Sequence, residues 1–308
     1  MADEGTVDDG TVTHGELLAE AVDALRAAGC RSPLVDARRI AERATGREGG
    51  EWVLALDQRA TRRVVAHFDD MLARRLAGEP LQYVVGSWGF RTLDLMVDRR
   101  VMIPRPETEQ VVEHALVEVD RVNRRPATVV DLGTGTGAIA LSVAAERTEV
   151  EVWGVDRSPD ALAVARANLA GVGGWAATRV RLVEGCWFDA LPGALRGGVD
   201  VVVANPPYVA ADEELPVEVR EWEPIDALVP GPTGLEAIAD IVDEAATWLA
   251  PGGVLVCEIG ATQGSAAAEL ARAAAFALVE VRPDLTGRDR VLVAGQATPR
   301  ESLSAALR

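Results

Sequence analysis

The sequence predicts an α/β fold in which a mostly parallel sheet, covered by helices on both faces, follows a small helical domain and a β-hairpin. Three observations carry this. From residue 127 onward, short runs rich in Val, Leu and Ile alternate with helical stretches, and such alternation builds a parallel sheet. A glycine-rich stretch, Gly133 to Gly137, follows the first of these runs, where a strand of such a sheet turns into its helix. Before residue 80 the apolar residues recur at helical spacing instead.

Residues 1–12 are polar and acidic without an apolar period and are read as a disordered tail. Residues 13–82 are read as the helical domain. Thr13 and Glu16 have capping-box spacing, and Leu17, Leu18, Ala21, Val22 and Leu25 form one apolar face that Gly29 closes. Ser32-Pro33 opens a second helix running to Gly46. A third, over 61–76, aligns Val64, Phe68, Met71, Leu72 and Leu76. Residues 83–106 read as a β-hairpin linker, because Tyr83-Val84-Val85, Trp88-Gly89-Phe90 and 93–101 alternate in the manner of strands. The sheet domain, 107–296, starts with a helix over 108–119. Strands are expected at 128–132, 150–155, 180–184, 199–204, 253–259, 276–281 and 290–294, with helices such as 159–169 and 235–249 between them. Only residues 283–289 join the last two strands, too few for a crossover helix, so that pair should be antiparallel. Residues 297–308 should fray.

Composition narrows the function. The 308-residue chain is 48% hydrophobic, enough for one large and one small core. No apolar run is long enough to span a membrane, and the acidic first twenty residues lack the order of a signal peptide, so a cytoplasmic location is expected. Three scattered cysteines and three dispersed histidines offer neither a disulfide framework nor a metal site. All 31 cations are arginine, and the net charge is −17. Proteins that grip a phosphate backbone usually present a basic face, so the charge argues against nucleic acid as a partner. A monomer is expected.

Three motifs carry chemistry. Asp131, Leu132 and the loop Gly133-Thr134-Gly135-Thr136-Gly137 end the first strand of the sheet. Glycines there allow a tight turn and let a ligand approach the main chain. Gly133, Gly135 and Ala138 also satisfy the dinucleotide pattern, so the loop alone leaves open a nicotinamide cofactor or S-adenosylmethionine. Asp156 ends the second strand, where a carboxylate can accept from both ribose hydroxyls of either cofactor; it could equally cap the Ser158-Pro159 helix. Asn205-Pro206-Pro207-Tyr208 decides between them. Elsewhere such a run is a surface turn, but here it follows a buried strand, and consecutive prolines force the chain out of the sheet beside the glycine loop. The Asn205 side-chain oxygen and the Pro206 carbonyl can accept both protons of a planar NH₂ group, and Tyr208 offers a flat face to enclose it. A hydride-transfer site has no use for that arrangement.

With these motifs the sequence resembles the Rossmann-like class I amino-methyltransferases. Ile103-Pro104-Arg105-Pro106-Glu107-Thr108-Glu109 resembles the PRPxTE signature of the PrmC/HemK family of protein-(glutamine-N(5)) methyltransferases, and Gly78-Glu79-Pro80-Leu81-Gln82-Tyr83-Val84-Val85-Gly86 resembles its GEPLAYILG stretch. The likeness runs over about 32–294, with Trp222-Glu223-Pro224 and Gly234-Leu235 in register. It implies a seven-stranded methyltransferase domain, a helical substrate-docking domain, and methylation of the glutamine of the Gly-Gly-Gln motif in peptide chain release factors. The implied contacts to S-adenosylmethionine are Asp131, Gly133 to Gly137, Asp156, Trp187 and Asn205, and those to the glutamine are Asn205, Pro206, Pro207 and Tyr208. Three departures stand out. Cys186 replaces a common Asp, Met102 a common Phe or Leu, and Pro230-Gly231-Pro232-Thr233 is proline-rich. The alternatives are a glutamine methyltransferase of another protein, such as a ribosomal protein, and an adenine-N6 methyltransferase acting on a flipped base.

Overall fold

The computed structural model describes residues 9–298 as two compact units, divided between Gly86 and Ser87. The first unit is helical. Strand β1 (Asp9–Thr13) is followed by α1 (His14–Ala27), α2 (Pro33–Thr45), α3 (Gly49–Ala55), β2 (Arg59–Thr61), α4 (Arg62–Leu76) and α5 (Leu81–Val85). The capping box forms as expected. The Glu16 N–H donates to Thr13 Oγ1 while the Glu16 carboxylate accepts the Thr13 N–H at 2.7 Å. Leu17, Ala21, Ile40, Trp52, Phe68 and Met71 close one core, and Arg75 reaches across it to Asp36 at 2.8 Å.

Two expectations fail here. Residues 9–12 belong to a strand paired antiparallel with β2, and not to a disordered tail; residues 1–8 lie outside the described chain. Tyr83-Val84-Val85 is helical, not the first arm of a hairpin. Pro80 precedes one helical turn that buries Leu81 and Val84 in the core, and Gly86, at φ 73°, ends it. Burial of an i, i+3 pair overrides the strand preference of three consecutive β-formers.

The second unit opens with a hairpin of β3 (Ser87–Phe90) and β4 (Leu93–Met96), shorter than the expected 93–101 arm. Arg91, at its turn, makes a two-pronged ion pair with Glu146. Then come α6 (Pro106–Arg121), β5 (Ala127–Leu132), α7 (Ala138–Glu146), β6 (Val150–Asp156), α8 (Pro159–Val172), α9 (Gly174–Thr178), β7 (Val180–Glu184), β8 (Val199–Ala204), α10 (Val217–Trp222), α11 (Glu236–Trp248), β9 (Leu249–Glu258), α12 (Gly264–Ala273), β10 (Leu278–Pro283) and β11 (Asp289–Gly295).

Seven strands form one sheet in the order β10-β11-β9-β8-β5-β6-β7. The five from β9 to β7 run parallel, while β11 pairs antiparallel with both β9 and β10, as the short connection requires. Side chains alternate across the sheet with a period of two. Val129, Val201, Val203 and Val256 pack on one face with α6 and α7, and Val130, Val202, Leu255 and Cys257 on the other with α11 and α12. Both faces are therefore covered, and β5 and β8 are buried at every position. The chain runs from β5 outward to β7, then returns to start β8 on the other side of β5. A crevice opens at the carboxyl ends of β5 and β8, where the direction of winding reverses.

Candidate active site

A cavity of about 770 Å³ occupies that crevice, a size suited to a cofactor. Its floor is the loop after β5. Gly133, Gly135 and Gly137 hold φ of 70°, 54° and 83°, which a side chain would strain. The N–H groups of Gly133 and Thr134 both donate to the Val155 carbonyl at 2.9 Å, tying the loop to β6.

Two aspartates hold the loop from different sides. Asp131 is fully buried. Its Oδ2 accepts from Thr134 Oγ1 at 2.6 Å and from the Ala140 N–H at 3.0 Å, while Oδ1 has no partner. Burial pushes its carboxyl up to about 7, against those two hydrogen bonds. Asp156 stands at the cavity wall. One oxygen accepts the Gly135 N–H at 2.8 Å and the other the Ser158 N–H at 2.9 Å. The cap of α8 is Ser158 itself, whose Oγ accepts from Ala161, so Asp156 is not needed for that role. Burial raises its carboxyl above the usual range, opposed by the backbone donors. Across the cavity the Trp187 ring lies over Gly133; a Cβ added there would touch Cζ3 at 3.6 Å. Trp187 adopts φ 44°, an uncommon backbone for a tryptophan.

The chain leaves β8 at Asn205, as the prolines require. Asn205 Nδ2 donates to Thr108 Oγ1 at 3.1 Å, leaving its side-chain oxygen as the acceptor end. The run is clamped from behind by Gln263, whose amide donates to the Tyr208 carbonyl at 2.9 Å and to that of Gly234 at 3.1 Å. The Tyr208 hydroxyl donates to Glu258 Oε1 at 3.2 Å, and burial raises its pKa well above the phenol range. A second carboxylate, Glu223, accepts from Arg105 and from the Ile103 N–H at 3.2 Å, fastening the Ile103–Arg105 stretch at the cavity's edge.

The same residues fit a donor bearing adenosine and a positive charge. Gly133 and Gly135 bring bare main chain to the cavity, Asp156 supplies a carboxylate, and Trp187 a flat ring. Among the described residues, no cluster could hold a metal ion and no helix is long and apolar enough to cross a membrane.

Known proteins resemble this chain over most of its length. Residues 16–86 match the family model described as the PrmC N-terminal domain, and residues 114–220 the methyltransferase small domain. The release factor glutamine methyltransferase of Cereibacter sphaeroides is 44% identical over 284 residues, 91% of this chain and 97% of that protein. Those of Salmonella typhimurium and Moorella thermoacetica are 39% and 40% identical, each across 92% of this chain and 98% of theirs. The chain belongs to the release factor glutamine methyltransferase family.

Of the residues that the family likeness points to, Gly133, Thr134, Gly135, Thr136, Asp156, Trp187, Asn205 and Pro207 line the one cavity. Asp131, Gly137, Pro206 and Tyr208 do not line it. Asp131 braces the loop from beneath, and Gly137 is a turn in which a Cβ would press on Leu141 at 3.0 Å. Cys186 and Met102, two of the departures from the family pattern, both face the cavity. Two buried residues beside the Asn205 run escaped the sequence reading as site residues. Thr108 is quoted only as part of a signature. Glu258 sits in an apolar strand, and the one available hint was an acidic residue at the strand's carboxyl end, where ligands of such sheets bind.

Two outcomes are expected here. Replacing Asp156 by Ala should weaken cofactor affinity by about 1.5–3 kcal/mol, since it removes a charged acceptor and frees Gly135. Titration calorimetry with S-adenosylhomocysteine checks this, and an unchanged Kd would reduce Asp156 to a turn residue. Asp131 carries a pH signature. Its folded-state pKa of about 7 lies above the unfolded value of 3.8, so the folded protein binds the extra proton between these limits. Its contribution is complete below the lower value and is lost as pH rises through the upper. Asp131→Asn should therefore gain stability relative to the wild-type protein as pH rises from 5 to 8, by an amount on the order of a few kcal/mol, read as a rising difference in melting temperature. Parallel melting curves in the cofactor-free proteins would remove this assignment.

Proposed function

We propose that this chain transfers a methyl group from S-adenosylmethionine to the side-chain amide nitrogen of the glutamine in the Gly-Gly-Gln motif of peptide chain release factors. The observation that carries the reading is the Asn205-Pro206-Pro207-Tyr208 run, placed at the carboxyl end of β8 with Asn205 and Pro207 on the same cavity as the glycine loop. Relatives at about 40% identity over nearly their whole length are named release factor glutamine methyltransferases.

Gly133 to Thr136, Asp156 and Trp187 hold the donor. When bound, its sulfonium supplies a methyl group already activated for transfer to a weak nucleophile. An amide nitrogen is such a nucleophile, because its lone pair is delocalised into the carbonyl. The chain's task is then chiefly one of placement. The Asn205 oxygen, at the cavity, accepts one N–H bond of the glutamine; the family resemblance adds the Pro206 carbonyl as the second acceptor and Tyr208 as the enclosing ring, although neither lines the cavity itself. As positive charge develops on that nitrogen, the two acceptors hold it more strongly than they held the neutral amide. No base is needed beforehand, and the surplus proton passes to solvent afterwards.

Incubation with a release factor, followed by mass spectrometry of the Gly-Gly-Gln peptide, tests the reading. A single methyl on the glutamine side chain is expected, with little dependence of the rate on salt. Efficient methylation of adenine in DNA, with the release factor left unmodified, would overturn it. Methylation of a ribosomal protein's glutamine alone would keep the chemistry and replace the partner.

A further inference from the structure

The acceptor role of Asn205 requires its oxygen, and not its NH₂, to meet the substrate. A side-chain amide fits the same space either way round, exchanging one acceptor for two donors. Two buried groups on separate elements remove that freedom. Thr108 Oγ1, on α6, donates to Glu258 Oε2 at 2.8 Å, and Asn205 Nδ2 donates to Thr108 Oγ1 at 3.1 Å. Glu258, at the end of β9, also takes the Tyr208 hydroxyl on its other oxygen at 3.2 Å. A hydroxyl has one proton, and an ionised carboxylate can only accept. Once the Thr108 proton is committed to Glu258, the Thr108 oxygen can only accept in turn. Asn205 must then present its NH₂ to Thr108 and its oxygen to the cavity.

We propose that Glu258 is a positioning residue, which sets the direction of the Asn205 amide through Thr108 and holds Tyr208 directly. This rests on the reading of Asn205 as the acceptor of the substrate amide. Glu258 is only 1% exposed, and its hydrogen bonds come from two hydroxyls and not from a cation. Burying a carboxylate in this way costs stability, so its presence here fits a role in orientation more than in folding. The charged groups facing it are Arg290 on β11, which favours the ionised form, and Glu107 on α6, which opposes it. Burial nonetheless pushes its carboxyl up to about 7, against Thr108, Arg290 and Tyr208. As pH falls through that value Glu258 gains a proton to donate, Thr108 is released, and the Asn205 amide loses its fixed direction. Turnover should therefore decline on the acid side.

The test uses the full chain with Thr108→Val, Thr108→Ser and Glu258→Gln, S-adenosylmethionine as donor and a Gly-Gly-Gln peptide as acceptor. Hydrogen exchange of the Asn205 side-chain NH₂, read by ¹⁵N NMR without any acceptor, reports the orientation independently of activity. Thr108→Val should lower kcat by about 10- to 100-fold, with KM for the peptide and affinity for S-adenosylhomocysteine changed by less than about threefold. Thr108→Ser should recover most of the loss. The Asn205 NH₂ should exchange faster in the valine variant than in the wild type or the serine variant. Glu258→Gln should flatten the acid limb of the wild-type profile. Wild-type turnover and NH₂ exchange in Thr108→Val would overturn the proposal, as would an unchanged acid limb in a folded Glu258→Gln. A wild-type enzyme that leaves the peptide unmethylated would instead sink the glutamine reading, while the exchange comparison would still decide the orientation.

Discussion

Asn205→Ala should lower turnover on a Gly-Gly-Gln peptide by about a hundredfold or more, while changing folding stability by less than about 1 kcal/mol. The side chain is half-buried, and its hydrogen bond to Thr108 can be replaced by water in the emptied space. What cannot be replaced is a preorganised acceptor for the amide whose nitrogen gains charge. Cofactor affinity should fall only modestly, since Gly135, Asp156 and Trp187 remain. Asn205→Asp separates two contributions. It keeps an acceptor oxygen but sets a carboxylate against Thr108 Oγ1, whose single proton already serves Glu258. Activity should fall substantially and yet exceed that of the alanine variant. Steady-state kinetics beside thermal melts reads both effects, and wild-type turnover in a purified Asn205→Ala protein would sink the mechanism.

Gly234→Ala should cost both stability, by about 2–4 kcal/mol, and more than tenfold in turnover. Gly234 lies at φ 76°, where a side chain is strained, and an added Cβ would drive into the Tyr208 carbonyl oxygen. It would also stand 3.0 Å from both the Ala210 nitrogen and Gln263 Nε2. Gln263 could then no longer hold the Tyr208 and Gly234 carbonyls together, and the Asn205–Tyr208 run would shift off its clamp. Loop 133–137 lies elsewhere in the crevice, so affinity for S-adenosylhomocysteine should change least. A variant with wild-type melting temperature and turnover would show that the loop yields at no cost.

The readable part of this fold was the part with short-range causes. The strand runs 128–132 and 199–204 are Val-rich and interrupted by a single Asp each, and both are buried on the two faces of the sheet. The antiparallel final pair followed from a connection too short to cross over. Errors fell where local preference and tertiary burial disagree. Residues 83–85 look extended and are helical because Leu81 and Val84 share a core; residues 9–12 look unstructured and form a strand because β2 supplies a partner. Neither partner is visible from the segment itself.

The site divides along the same line. Backbone-borne features are local, so sequence alone determined the glycine loop with its left-handed turns, the aspartate at the end of β6 and the exit of the chain from β8 at two prolines. Only the tertiary structure decided which of these face the cavity, and it set Asp131 beneath the loop where the motif had grouped it with the ligand contacts. It also assembled the network of Thr108, Asn205, Tyr208 and Glu258, in which Thr108 lies 97 positions from Asn205 and 150 from Glu258. Which proton goes to which oxygen is a property of four side chains meeting in space. It depends on a hydroxyl having one hydrogen and an ionised carboxylate having none, and no spacing along a chain records that.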